Sequence, residues 1–174
     1  AIIFTSGGAQ AGGNLTTGAN NTIVGYDAEP SSATVSNEIT LGNSSVSVIR
    51  AAVTSITSLS DERDKKDIKD ITYGLDFVSK LKPREFVWDN RVEKRVVLDD
   101  EGNVGSEIEH YSDNKNKKDF GFIAQEVQVH DDDTLRLIYD ANPDKLEMSY
   151  GKLVPILVKA IQELKDELDK KQDK

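Results

Sequence analysis

Charge divides this chain more sharply than any other property. Residues 1–59 hold only Asp27, Glu29, Glu38 and Arg50, and the other 49 of the chain's 53 charged side chains lie in residues 60–174. The switch falls at Leu59–Ser60. Before it, Gly, Ser, Thr, Asn and Ala dominate around short β-branched runs, Thr22-Ile23-Val24 and Glu38-Ile39-Thr40-Leu41, each closed by a glycine, Gly25 or Gly42. These read as short strands and tight turns. Asn14 to Gly18, Asn21 to Gly25 and Asn37 to Gly42 form a loose repeat whose third copy has one extra residue. Segments this short are expected to need neighbouring chains to cover their apolar face, which predicts an obligate trimer. The alternative is a disordered linker rich in Gly, Ser, Thr and Asn. Val46 to Ile49 and Ala51 to Ile56 continue as β-prone segments up to the boundary.

Beyond Ser60 the pattern becomes mixed α and β. Leu75, Phe77, Val78 and Leu81 predict a short amphipathic helix ending before Pro83, and Glu85-Phe86-Val87-Trp88 a strand. Arg95–Leu98 and Ile108–Tyr111 flank the Asp/Gly/Asn-containing stretch 99–103, the layout of a hairpin. An α+β domain follows. Tyr150, Val154, Leu157, Ile161, Leu164 and Leu168 are spaced 4, 3, 4, 3 and 4 apart, the a/d seam of a coiled coil. That makes residues 148–174 a helix in a parallel bundle rather than one sunk in a monomer core, starting or kinking at Pro155.

Composition narrows the function classes. With one Trp, one Met and 6% aromatic residues, the 174-residue chain has material for one modest core plus an appendage. It begins at Ala1 and its only methionine is Met148, so a piece of a longer polypeptide is expected. The absence of cysteine excludes a disulfide framework, a thiolate metal site and a cysteine nucleophile. No apolar run reaches the ~20 residues of a membrane span. A net charge of −9 disfavours nucleic acid, since Lys115, Lys117 and Lys118 are offset by Asp113 and Asp119. No cofactor, metal or small-molecule substrate is expected.

The densest chemistry sits at the boundary, in Ser60-Asp61-Glu62-Arg63-Asp64-Lys65-Lys66-Asp67-Ile68. A serine hydroxyl becomes a nucleophile when a nearby base takes its proton, and a desolvated lysine is such a base. Ser60 and Lys65 are five residues apart, a separation that a turn or bent helix closes. The plainer reading is that Ser60 caps a helix whose first turn holds Asp61 and Glu62.

Ser-Asp-x-Arg-x-Lys followed by Ile resembles the opening motif of the intramolecular chaperone auto-processing family, the S74 peptidases found at the C-terminus of phage tail fibres and tailspikes. Leu81-Lys82-Pro83 with Phe86 and Trp88, then Gly121-Phe122-Ile123-Ala124-Gln125-Glu126-Val127, and Ser149 through Leu164 resemble its later blocks, in order. The resemblance implies a homotrimeric chaperone domain, residues 60–174, that guides folding of the end of a triple-stranded β-helix-like fibre, residues 1–59. It also implies a single cut at Leu59–Ser60, with Ser60 as nucleophile, Lys65 as general base, and Asp61 and Arg63 as supporting motif residues. Lys66 is adjacent, but Lys65 has the family spacing. The fibre would stay on the virion tail, and the chaperone, made in the host cytoplasm, would leave after the cut. The reading from a different class is a non-catalytic structural or receptor-binding fibre tip.

Three other candidates have plainer explanations. Gln125 and Glu126 are expected to be a hydrogen-bonded pair beside a packed Phe122, Ile123 and Val127 rather than catalytic. Asp131-Asp132-Asp133 lacks the ligand alternation and glycine of an EF-hand and reads as solvated charge. His110 and His130 have no His or Cys partner at metal-ligand spacing.

Overall fold

The computed structural model describes residues 4–53, 55–98, 104–110, 115–132 and 134–172. They fall into two compact units. The first comprises Ala1–Val48, Glu85–Gly121 and Asp140–Leu146, and the second Ile49–Arg84, Phe122–Tyr139 and Glu147–Lys174.

In the first unit, β1 (Phe4–Gly7), β2 (Asn21–Val24) and β3 (Ile39–Leu41) form a parallel sheet in chain order. Phe4 lies opposite Asn21 and Thr22 opposite Ile39. The same offset of 17 residues recurs in the hydrogen bonds Thr16 Oγ1 to Ala33 O, Ala19 N to Ser36 Oγ and Asn20 Nδ2 to Asn37 Oδ1. The chain is therefore wound into a small β-solenoid with 17-residue rungs. Backbone handedness keeps the same period: Gly8, Gly25 and Gly42 have positive φ, as do Gln10 with Asp27 and Asn20 with Asn37. The Gly8–Gly25–Gly42 corner is also a close approach, since a Cβ on Gly25 would sit 2.9 Å from the Gly42 Cα. Leu15, Ile23 and Ala28 are buried inside with Ala11 and Val35 against them. Asn21 is buried as well; its Nδ2 donates to Val35 O and its Oδ1 accepts from Glu38 N, so the rungs satisfy its amide.

This corrects the expectation that such short strands must pair between chains. A 17-residue rung closes on itself, so one chain supplies both the pairing and a thin core. The β-prone stretch after Val46 behaves differently, because no strand forms between residues 46 and 53 or 55 and 59, and Ile56 and Leu59 are 97% and 98% exposed. Strand propensity without a pairing partner gives only extended chain.

The first unit also holds a ribbon of β4 (Arg84–Val87), whose first residue lies at the unit boundary, with β5, β6 and β7 after it. β4 pairs with β7 (Lys118–Gly121), and β5 (Glu93–Leu98) pairs antiparallel with β6 (Val104–His110). The expected hairpin is present; its turn, 99–103, lies outside the described residues. Trp88 stacks edge-on against Phe86 and donates its Nε1 proton to Asp119 at 3.1 Å. Lys115 pairs with Asp89 rather than with Asp119, and Asp113 lies outside the described residues.

The second unit is α+β and contains the larger core. Helix α1 (Leu75–Lys80), α2 (Ala124–Gln128), the small antiparallel pair β8 (Ile138–Tyr139) and β9 (Glu147–Met148), and α3 (Leu153–Gln172) surround Phe77, Val127, Leu135, Leu137, Leu153 and Ile156. Each such side chain contributes roughly 1.5–3 kcal/mol on burial. Pro155 lies in the first turn of α3, where its missing N–H is no loss, so the helix starts two residues earlier, at Leu153. Glu163 on α3 ties the two helices: its Oε2 accepts the Leu75 N–H at 2.7 Å, at the open N-terminus of α1. Where it is described, the Asp131–Asp133 run is half-buried at Asp131 and exposed at Asp132, and both carboxylates are engaged in hydrogen bonds. Asp131 accepts from Leu137 N and Ile138 N, and Asp132 from Thr134 N, Leu135 N and the Tyr73 hydroxyl. Asp133 lies outside the described residues. These bonds hold the carboxyl of Asp132 below the usual range, with Tyr73 the largest cause, and lay Leu135 and Leu137 into the core.

Gly25→Ala tests the solenoid corner. It combines a left-handed backbone with a clash against the next rung and should destabilise the first unit by about 2 kcal/mol or more. Gly7→Ala, whose Cβ would meet nothing within 4 Å, should leave the thermal unfolding curve unchanged.

Candidate functional site

Ser60 and Lys65 meet. Extended chain would separate their backbones by about 17 Å, and a 3-10 turn over Glu62–Asp64 removes that distance. The Lys65 N–H closes the turn on Glu62 O at 3.0 Å. Folded back in this way, Lys65 Nζ lies 2.7 Å from Ser60 Oγ and 3.1 Å from Ser60 O. Asp67, with a left-handed φ of 56°, redirects the chain immediately afterwards.

Asp61, not Ser60, caps the turn. Its Oδ1 accepts the Arg63 backbone N–H at 2.9 Å, which satisfies a donor that the turn itself leaves without a partner. The same carboxylate takes the Arg63 side chain in a fork, Nε to Oδ1 at 2.9 Å and Nη2 to Oδ2 at 2.7 Å. The plainer sequence reading of Ser60 as a cap is thus overturned: Asp61 fills that role and leaves the serine hydroxyl to Lys65. Arg63 holds the Asp61 carboxyl below the ordinary carboxylate range, first through its side chain and then through its backbone N–H. Asp61 therefore stays ionised and capping at neutral pH, and the cap weakens as pH falls through that lowered value.

Leu59, Ser60, Asp61, Arg63 and Lys65 are all exposed within this chain. A hydroxyl 2.7 Å from an amine can pass its proton to that amine once the amine is neutral, which is the first step of serine activation. No residue of the turn is buried.

The other sequence candidates are occupied elsewhere. Glu126 forms a bidentate pair with Arg84, 3.0 Å from Nε and 2.7 Å from Nη2, and this contact lowers its carboxyl's pKa. Val127 is buried in the core and Phe122 packs against it, while Ile123 is exposed. Among the described residues no group of three or more His, Asp or Glu is placed to hold a metal ion, and no helix is long and apolar enough to cross a membrane. The capping role of Asp61 was the feature that motif spacing alone did not assign; the strong preference of aspartate for such positions was the available signal.

Residues 60–134 match the family model described as chaperone of endosialidase, Peptidase_S74. No curated protein and no solved structure matches the chain. The match begins at the residue where charge density switches and where the serine–lysine contact forms, and it ends before the block at Ser149–Leu164. Over residues 60–134 the chain carries an intramolecular chaperone domain of the S74 peptidase family.

Proposed function

We propose that this domain assembles three chains, promotes folding of the segment before Ser60 as part of a phage tail fibre or tailspike, and then cuts itself off at Leu59–Ser60. The observation that carries the cleavage is the 2.7 Å contact between Ser60 Oγ and Lys65 Nζ beside a fully exposed Leu59. Neutral Lys65 takes the hydroxyl proton as Ser60 Oγ attacks the Leu59 carbonyl carbon. The carbon–nitrogen bond breaks, the proton passes to the Ser60 nitrogen, and an ester joins Leu59 to Ser60 Oγ. Water then adds to the ester carbonyl and the serine hydroxyl is restored. Each site acts once, because its product no longer contains the bond it cuts. The fibre part would remain on the virion tail, and the chaperone part would be left in the host cytoplasm.

Helix α3 supports the assembly. Leu153, Ile156 and Ala160 bury one of its faces in the second unit's core, while Val154, Leu157, Ile161, Leu164 and Leu168, the seam read from the sequence, remain exposed. A helix apolar on two faces needs a second surface to cover it. Val154 and Ile161 at a with Leu157 and Leu164 at d suit two strands, whereas exposed Val158 at e widens the seam toward more. The number three comes from the family resemblance. Chains brought together would also cover Lys65, which is exposed within one chain. That same exposure favours the alternative, an uncut fibre tip, if assembly leaves the turn open to water.

Mass spectrometry of expressed protein distinguishes the two. Wild type should yield a fragment beginning at Ser60, whereas Ser60→Ala and Lys65→Arg, which cannot take up the proton, should each slow its appearance by ~100-fold or more. A wild-type chain that forms trimers and stays intact would leave the fibre tip as the function. Leu157→Asp with Ile161→Asp, on the exposed face of α3, should convert the trimer to a monomer by light scattering and abolish the cut, with the helix content of the second unit retained.

A further inference from the structure

The contact between Ser60 and Lys65 depends on a turn with no buried residue, so only local bonds hold it. Of these, the Asp64 N to Asp61 O bond is long, at 3.3 Å, and the Lys65 N to Glu62 O bond, at 3.0 Å, forms only after the chain has reversed. The Asp61 Oδ1 bond to the Arg63 N–H, at 2.9 Å, fixes the first half of the reversal. We propose that Asp61 is the positioning residue of the dyad: by capping the 3-10 turn it folds Lys65 onto Ser60, without itself touching the reacting atoms.

The proposal deepens the self-cleavage reading and rests on it for its kinetic consequence. It also separates two roles that Asp61 combines. The carboxylate caps the turn, and it pairs with the Arg63 guanidinium, whose side chain is 88% exposed. Exposed ion pairs contribute little, while a cap satisfies a backbone N–H that otherwise lacks a partner in the turn. The order of replacements should therefore follow capping ability and not charge: Asn and Ser retain an oxygen for the Arg63 N–H, and Ala does not.

Two measurements on the full chain test this. The first is the rate of fragment formation across Asp61→Asn, Asp61→Ser and Asp61→Ala, followed over a range of pH. Asn and Ser should stay within about twofold of wild type and Ala should fall about fivefold or more, the size of a lost cap. The pH midpoint should be unchanged, since the chemistry of the base is untouched. The second is a nuclear Overhauser contact between the residue 60 methyl and the Lys65 Cε protons, recorded with Ser60→Ala in place so that nothing is cut. It should persist with Asp61→Asn and vanish with Asp61→Ala. Asp61→Asn behaving like Asp61→Ala in either measurement would overturn the proposal in favour of charge, as would a contact that survives Asp61→Ala. If the contact follows capping ability but wild type never cuts, the positioning role stands and the self-cleavage reading fails.

Discussion

Many of the large apolar side chains in this protein are left exposed by the chain that carries them. Helix α3 illustrates the constraint: one face closes the core over Phe77 and Val127, and the adjacent face presents Val154, Leu157, Ile161, Leu164 and Leu168 to water. The segment before Ser60 repeats it, with Val48, Ile49, Val53, Ile56 and Leu59 all exposed. Exposed apolar surface on this scale is the kind of face that a partner surface covers. Under the proposed assembly, water exclusion around the exposed Ser60 and Lys65 would come under the control of association.

The contact between Ser60 and Lys65 is the opposite kind of structure. It is local, polar and exposed, held by hydrogen bonds among six consecutive residues. Geometry and reactivity are thereby separated. The turn can set the distance between hydroxyl and amine before any second chain arrives, and the environment that makes the amine a base can follow later. In the proposed cleavage, a site organised in this way would be complete in shape before its surroundings favour the chemistry.

Much of this was legible in the sequence because it rests on periodicity or on short-range preference. The helical spacing of Leu75 to Leu81, the β-formers of Glu85 to Trp88 and the heptad seam of α3 each gave an element in the right place. The solenoid was only half visible. Counting the second copy from Asn21 made the third appear one residue long, but the left-handed backbone shows that Asn20 aligns with Asn37, and Gly25 with Gly42, which removes the irregularity. Asn14 to Gly18 belongs to a different side of the rung. What could not be read were roles assigned by distant partners. Asp132 meets Tyr73 across 59 residues, Glu126 meets Arg84 across 42 and Glu163 reaches Leu75 across 88, and nothing in the spacing of an acidic run announces which backbone or guanidinium it will bind.

The solenoid also bears on how such a protein changes over generations. Because strand pairing and the glycine corner all recur at 17 residues, each rung touches only its neighbours, and a rung gained or lost whole leaves those above and below with the surfaces they had. A one-residue gain or loss within a strand would instead shift the glycine corner out of register and turn Ile23 outward. Duplication in whole rungs is thus the cheap route by which this part of the chain lengthens or shortens, and it leaves the sequence around Ser60 untouched.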